Sequence, residues 1–156
     1  MTEQTNHQQE HTIHVLLVED NEDHIFLTRR ALQSSGLPLA IHVARDGDEA
    51  LEFVYQAGAH TEAPRPDLIL LDVKLPGKDG FEVLQELKSK DDYRSIPIIM
   101  LTSSTAEADI IKGYGLGSNS YVSKPVTFDE MVTKLGKLPS YWARTNILPP
   151  NRRNLP

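Results

Sequence analysis

Five short, largely apolar runs alternate along this chain with longer segments of helical period. That alternation constrains the fold more than any other feature. The runs are Ile13-His14-Val15-Leu16-Leu17-Val18, Leu39 to Ala44, Leu68 to Leu71, Ile96 to Leu101 and the short Ser120 to Ser123. Between and after them, apolar residues recur at helical spacing. These sets are Ile25, Leu27, Thr28, Ala31 and Leu32; Ala50, Leu51, Phe53, Val54 and Ala57; Phe81, Val83, Leu84 and Leu87; Ala108, Ile111 and Tyr114; and Met131, Val132, Leu135 and Leu138. Strands separated by helices pair in parallel, and their crossovers cover both faces of the sheet. Runs that are continuous rather than alternating say the same. The expectation is an α/β, doubly wound, five-stranded parallel sheet.

Helix starts are marked by an N-capping residue followed three places later by Glu, a pattern resembling the capping box. Asp46 with Glu49, Asp79 with Glu82, Ser104 with Glu107 and Thr127 with Glu130 supply four such starts, and Gly36 can close the first helix. Gly58 to Pro66 reads as a loop, stiffened by Pro64-Arg65-Pro66, and Pro76-Gly77 is a turn signal. A length of 156 residues suits one domain. Residues 1–12 are polar and without period, so a flexible arm is expected ahead of a domain over 13–138 and an extension over 139–156.

Composition narrows the function. Sixteen basic residues against 22 acidic ones leave a net charge of −6, which argues against nucleic acid as the partner. The absence of cysteine removes disulfides, thiolate nucleophiles and thiolate metal sites. No apolar run approaches the roughly 20 residues of a membrane span, and the polar N-terminus carries no secretory leader. A cytoplasmic protein without membrane contact is expected. The six histidines read as unremarkable: His7, His11 and His14 lie in or near the arm, and His24, His42 and His60 are scattered.

Open parallel sheets bind at the carboxyl ends of their strands. The first strand here ends in Glu19-Asp20, the third in Asp72, the fourth in Thr102, and the fifth leads to Lys124-Pro125. Each has a plainer reading when taken alone. Glu19-Asp20 could complement a helix dipole, Asp72 could start a turn, Thr102 could end a strand and Lys124-Pro125 could be a surface loop. Together they bring three carboxylates, a hydroxyl and an ammonium to one rim. Clustered carboxylates need a cation, and hard oxygen ligands beside a phosphate suit Mg²⁺. An Asp in such a place can accept a phosphoryl group covalently.

At this point the chain resembles the receiver domain of two-component response regulators, over roughly Ile13 to Leu138. The resemblance rests on Val15-Leu16-Leu17-Val18-Glu19-Asp20-Asn21, on Asp67-Leu68-Ile69-Leu70-Leu71-Asp72-Val73-Lys74-Leu75-Pro76-Gly77-Lys78-Asp79-Gly80, on Pro97-Ile98-Ile99-Met100-Leu101-Thr102 and on Tyr121-Val122-Ser123-Lys124-Pro125. It implies a flavodoxin-like fold with Asp72 as phosphoacceptor. It also implies Mg²⁺ held by Glu19, Asp20, Asp72 and the backbone carbonyl of Lys74. Thr102 and Lys124 then engage the phosphoryl oxygens, and Tyr121 swings inward when Thr102 moves. The Lys124-Pro125 peptide is typically cis in this family. The implied donor is a phosphohistidine on a sensor kinase, and the domain is not a conventional enzyme.

Lys74 departs from regulators that carry Asn or another small polar residue two places after the acceptor. The resemblance leaves a phosphorelay intermediate open beside a terminal regulator. A flavin-binding protein of the same fold is disfavoured, since Glu19 and Asp20 would repel its phosphate. A phosphohydrolase is disfavoured because Lys74 stands where a second Asp belongs.

The extension carries Tyr141, Trp142, Ile147 and Leu148. These either fold back on the domain or pack on a second subunit, because aromatic and aliphatic anchors favour interfaces. With Pro64-Arg65-Pro66 and the Phe81 helix, the tail resembles the stand-alone regulators that partner bacterial phytochrome kinases. That likeness implies a homodimer signalling through protein contacts. The closing Arg152-Arg153 is too short for a nucleic-acid patch.

Overall fold

The computed structural model describes residues 12–142 and Leu148. Its strands are β1 (Ile13–Val18), β2 (Leu39–Ala44), β3 (Leu68–Leu71), β4 (Ile98–Thr102) and β5 (Ser120–Ser123). They form one parallel sheet in the order β2-β1-β3-β4-β5. The helices are α1 (Glu22–Gln33), α2 (Gly47–Tyr55), α3 (Gly80–Lys88), α4 (Glu107–Gly115), α5 (Phe128–Leu135) and the short α6 (Leu138–Ser140). The chain starts mid-sheet, runs to the β2 edge and then crosses back past β1. The switch point therefore falls between β1 and β3.

The period-2 pleat sends neighbouring strand residues to opposite faces. Val15, Leu17, Leu68, Leu70, Ile99 and Leu101 pack with Ile25, Ala31 and Leu32 of α1 and with Met131 and Leu135 of α5. Leu16, Val18, Ile69, Leu71, Ile98 and Met100 pack with residues of α2 and α3, among them Phe53, Phe81, Val83, Leu84 and Leu87. Both faces of the central strands are covered, as the continuous runs require, and each large side chain so buried is worth about 1.5–3 kcal/mol.

Three of the expected caps form. Asp46, Asp79 and Thr127 accept from the amides of Glu49, Glu82 and Glu130 at 2.7, 2.9 and 3.2 Å. The Ser104 cap does not. Residue Ala106 stands at the start of α4 and makes no side-chain cap bond, because the Ser104 hydroxyl donates to Asp109 Oδ2 at 2.6 Å instead. Gly36 takes φ +73° just after α1, in the turn that leads to β2.

Three further expectations are corrected. Ala57 lies outside α2, which stops when Gln56 enters the left-handed region at φ 55°. Strand β4 begins at Ile98 rather than Ile96, since Pro97 has no N–H to give and the Ile96 amide turns back to Tyr93. The apolar stripe of α4 faces outward, leaving Ile111 63% and Tyr114 53% exposed. Helix α4 meets the sheet through Gly113, where an added Cβ would come within 3.2 Å of the Tyr121 ring.

In the extension, Trp142 and Leu138 pack against the α1–α5 side of the core, and Tyr141 stays half exposed with its ring edge-on to Trp142 at 5.3 Å. Leu148 is half-buried. Ile147, the 1–11 part of the expected arm and Arg152-Arg153 lie outside the described residues. Among the described residues no helix is long and apolar enough to cross a membrane.

Candidate functional site

The register of the central strands assembles the rim. Val18 of β1 stands beside Leu71 of β3, so the next residues, Glu19 and Asp72, emerge together. Their amides extend the ladder: Glu19 N–H donates to Ala44 O at 2.9 Å and Asp72 N–H to Val18 O at 3.1 Å. Thr102 of β4 pairs with Ser123 of β5, and the Lys124 amide donates to Thr102 O at 2.8 Å. That bond carries the extended chain one residue past β5 and delivers the Lys124 side chain to the rim. The described residues contain no cis peptide, so the expected cis Lys124-Pro125 bond is corrected to trans.

Glu19 and Asp72 are buried, at 2% and 7% exposure, while Asp20 is exposed. The carboxylates of Glu19, Asp20 and Asp72 offer oxygens that lie within 4.8 Å of one another. The Lys124 ammonium donates to Glu19 Oε2 and to Asp72 Oδ2, the latter at 2.9 Å. The Asn21 amide adds a bond to Glu19 Oε1 at 3.1 Å. Burial pushes the Glu19 carboxyl above its ordinary value, Lys124 pulls it back and the neighbouring Asp72 charge adds to the rise. A divalent cation would relieve that strain, and an all-carboxylate donor set suits a hard ion such as Mg²⁺ or Mn²⁺.

Gly80 lets the loop after Asp72 close. A Cβ there would fall 2.0 Å from the Asp72 carbonyl oxygen, so no other residue fits without moving the acceptor strand's end. The exposed Lys74 lines a cleft of about 680 Å³ together with Asp20, Pro76, Asp79, Phe81 and Lys112.

Thr102 is fully buried, and its Oγ1 accepts from the Ser104 amide at 3.2 Å. The Tyr121 hydroxyl donates to the Ser104 carbonyl at 2.9 Å, and burial raises the phenol's pKa. Thr102 and Tyr121 thus meet on one residue, and that residue also holds Asp109 in the first turn of α4.

The chain as a whole has counterparts by sequence and by shape. Residues 15–136 match the family described as the response regulator receiver domain. The chain belongs to that family. Response regulator Rcp1 of Synechocystis is 38% identical over 135 residues, which cover 86% of this chain and 92% of the relative. The phosphorylated cyanobacterial phytochrome response regulator RcpA superposes with a TM-score of 0.85 at 38% identity, over 90% of this chain and 100% of that one. The Mn²⁺-bound form of Rcp1 gives 0.83 at 38% identity, over 88% and 99%. The flavodoxin-like receiver fold and the response-regulator class accordingly stand as expected, and the Glu19, Asp20 and Asp72 carboxylates fit a divalent cation.

Sequence reasoning missed one residue at the rim. His24 looks like one of several scattered histidines in the sequence, yet its Nδ1 lies 3.0 Å from Lys124 Nζ and 3.6 Å from Glu19 Oε1. It stands in the first turn of α1, where side chains lean back toward the helix N-terminus and here toward the rim. That lean is the signal that could have found it.

Proposed function

We propose that the chain receives a phosphoryl group on Asp72 from a sensor histidine kinase of the phytochrome class and signals through protein contacts. The observation that carries this reading is the Lys124 ammonium bonded at once to Glu19 and Asp72, beside the three-carboxylate cluster. The phytochrome assignment is supported by the relatives, one of which is a phytochrome response regulator at 38% identity.

In this reading one Asp72 carboxylate oxygen attacks the phosphorus of the donor phosphohistidine. The O–P bond forms as the P–N bond breaks, and the electron pair remains on the departing imidazole nitrogen. Glu19, Asp20, Asp72 and the backbone carbonyl of Lys74 would hold Mg²⁺, which would supply charge neutralisation to the phosphoryl oxygens. Lys124 exchanges a carboxylate for a phosphoryl oxygen and keeps its charge paired. The Thr102 hydroxyl leaves the Ser104 amide and donates to a second phosphoryl oxygen. Tyr121, bonded to the same Ser104, follows Thr102 inward and passes the change to α4.

Residues 13–138 constitute the signalling unit, preceded by an arm over 1–12 and followed by an extension over 139–156. The unit acts as a cytoplasmic phosphoacceptor rather than a conventional enzyme, without nucleic-acid or membrane partners. A homodimer uses the extension through Tyr141, Trp142, Ile147 and Leu148, and Trp142 also packs in part on its own domain. Onward phosphorelay from Asp72 is the second reading, and phosphate appearing on a second His-containing protein would select it.

The test is labelling by radioactive acetyl phosphate or a phosphorylated kinase, with and without Mg²⁺. Wild-type protein should label only with the metal, and Asp72→Asn should lose the signal. Full labelling of Asp72→Asn would overturn the assignment.

A further inference from the structure

We infer that His24 is a positioning residue for Lys124, serving through a neutral imidazole whose Nδ1 accepts the third hydrogen of the ammonium. The inference rests on the phosphoacceptor reading of the site and adds to it a residue outside the strand-end set.

The argument is a count of donors and acceptors. A lysine ammonium has three N–H donors and no lone pair. The Lys124 side chain is 7% exposed, so little room is left for solvent to complete its shell. Its three neighbours within hydrogen-bond distance are Glu19 Oε2, Asp72 Oδ2 at 2.9 Å and His24 Nδ1 at 3.0 Å. Each takes one hydrogen, and the ammonium is then satisfied.

The same count fixes the imidazole. An N–H at Nδ1 would face an ammonium hydrogen across 3.0 Å, two donors opposed with no acceptor between them. The proton must therefore sit on Nε2, leaving Nδ1 with its lone pair toward Lys124. Glu19 Oε1, at 3.6 Å from Nδ1, is beyond a hydrogen bond and is instead engaged by the Asn21 amide. The backbone of His24 is held in turn, its amide donating to Asn21 Oδ1 at 3.1 Å.

His24 also differs in kind from the other two acceptors. Glu19 and Asp72 belong to the metal and phosphoryl chemistry, so their bonds to Lys124 change when the site is used. The imidazole belongs to neither. It keeps one Lys124 hydrogen engaged while the other two are redirected, so the ammonium pivots instead of swinging free.

Two measurements test this on the full chain. The first is the pattern of histidine ring nitrogen resonances by NMR. A pyridine-type Nδ1 is expected for His24, and a pyrrole-type Nδ1 would overturn the inference. The second is the rate of acetyl-phosphate labelling at saturating Mg²⁺. His24→Leu removes the acceptor and should slow labelling about three- to tenfold, leaving the Mg²⁺ midpoint unmoved. His24→Asn places an amide oxygen close to the position of Nδ1 and should restore the rate to within about twofold. His24→Leu at the wild-type rate, or His24→Asn as slow as His24→Leu, would also overturn it. Should a variant fail to fold, the wild-type chain still decides: a hydrogen-bond scalar coupling between Lys124 Nζ and His24 Nδ1 supports the inference, and a pyrrole-type Nδ1 overturns it. Retained labelling in Asp72→Asn would refute the phosphoacceptor reading but would leave the tautomer of His24 as a separate result.

Discussion

Two lysines are partly or wholly buried at opposite ends of the same sheet, and they are held in opposite ways. Lys124, past the carboxyl end of β5, is gripped by the carboxylates of Glu19 and Asp72 and by the His24 ring. Lys88, at the end of α3, donates to the carbonyl oxygens of Arg94 and Ile96 at 3.0 and 2.9 Å and to Asn119 Oδ1 at 3.0 Å. All three of its partners are neutral. Burial therefore acts on Lys88 without an opposing charge and pulls its pKa down to about 8. The difference separates a working site from a staple. The Lys124 cluster can be rearranged, since a metal ion or a phosphoryl group can take over one member's electrostatic role. The Lys88 cluster offers nothing to exchange and simply ties α3 to the starts of β4 and β5.

The largest effect should follow removal of Lys124. Its loss leaves Glu19 and Asp72 buried side by side with no cation, and breaking a buried ion pair by deleting one partner costs about 3–5 kcal/mol. Urea unfolding of Lys124→Ala in chelator should show a loss of that size. Millimolar Mg²⁺ should return a substantial part of it, because the ion supplies the missing positive charge and binds only the folded cluster. A loss that Mg²⁺ does not reduce would mean that the carboxylates are not held by charge balance, and the contrast with Lys88 would fail.

At the other end the equivalent deletion should be milder. Asn119 Oδ1 accepts from both Lys88 Nζ and the Ile98 amide, the latter at 2.9 Å. Asn119→Ala removes both bonds without stranding a charge opposite a charge, and the residue is exposed enough for water to compensate in part. A destabilisation of about 1 kcal/mol is expected, insensitive to Mg²⁺. A cost equal to that of Lys124→Ala would erase the distinction between staple and site.

The two ends were not equally legible in the sequence. Glu19, Asp72, Thr102 and Lys124 could be located because a parallel sheet sends every carboxyl strand end to one rim, and unbroken apolar runs mark where strands stop. Helix starts were legible for the same local reason: Asp46, Asp79 and Thr127 bond to amides three residues away. What failed depended on particular side-chain contacts that no capping pattern or period announces. Ser104 looked like a cap but is drawn to Asp109, and Ile111 and Tyr114 looked like a core face until Gly113 met the Tyr121 ring. His24 reaches a residue 100 positions away, and Lys88 reaches Asn119 across 31. No period or spacing encodes such pairings. Trp142 sits between these cases, since an apolar tail announces burial but not against which surface.

The smallest effect separates the lysines by pH. Lys88 has an ordinary value of 10.5 and a folded value of about 8. Between those two values the unfolded chain still binds the proton that the folded chain has released. Stability rises with pH wherever the unfolded state binds more protons, so the Lys88 contribution grows from about pH 8 toward 10.5 and is least favourable below 8. The side chain retains some solvent access, which screens the effect and keeps it small. Urea midpoints of wild-type protein compared at pH 8 and 9.5 should therefore shift upward relative to Lys88→Met, whose methionine cannot titrate. Parallel curves for the two proteins would show that the three carbonyl-type oxygens keep the ammonium charged despite burial. Neutral oxygens would then hold a lysine as firmly as carboxylates do, and the division between the two ends of the sheet would rest on exchangeability alone.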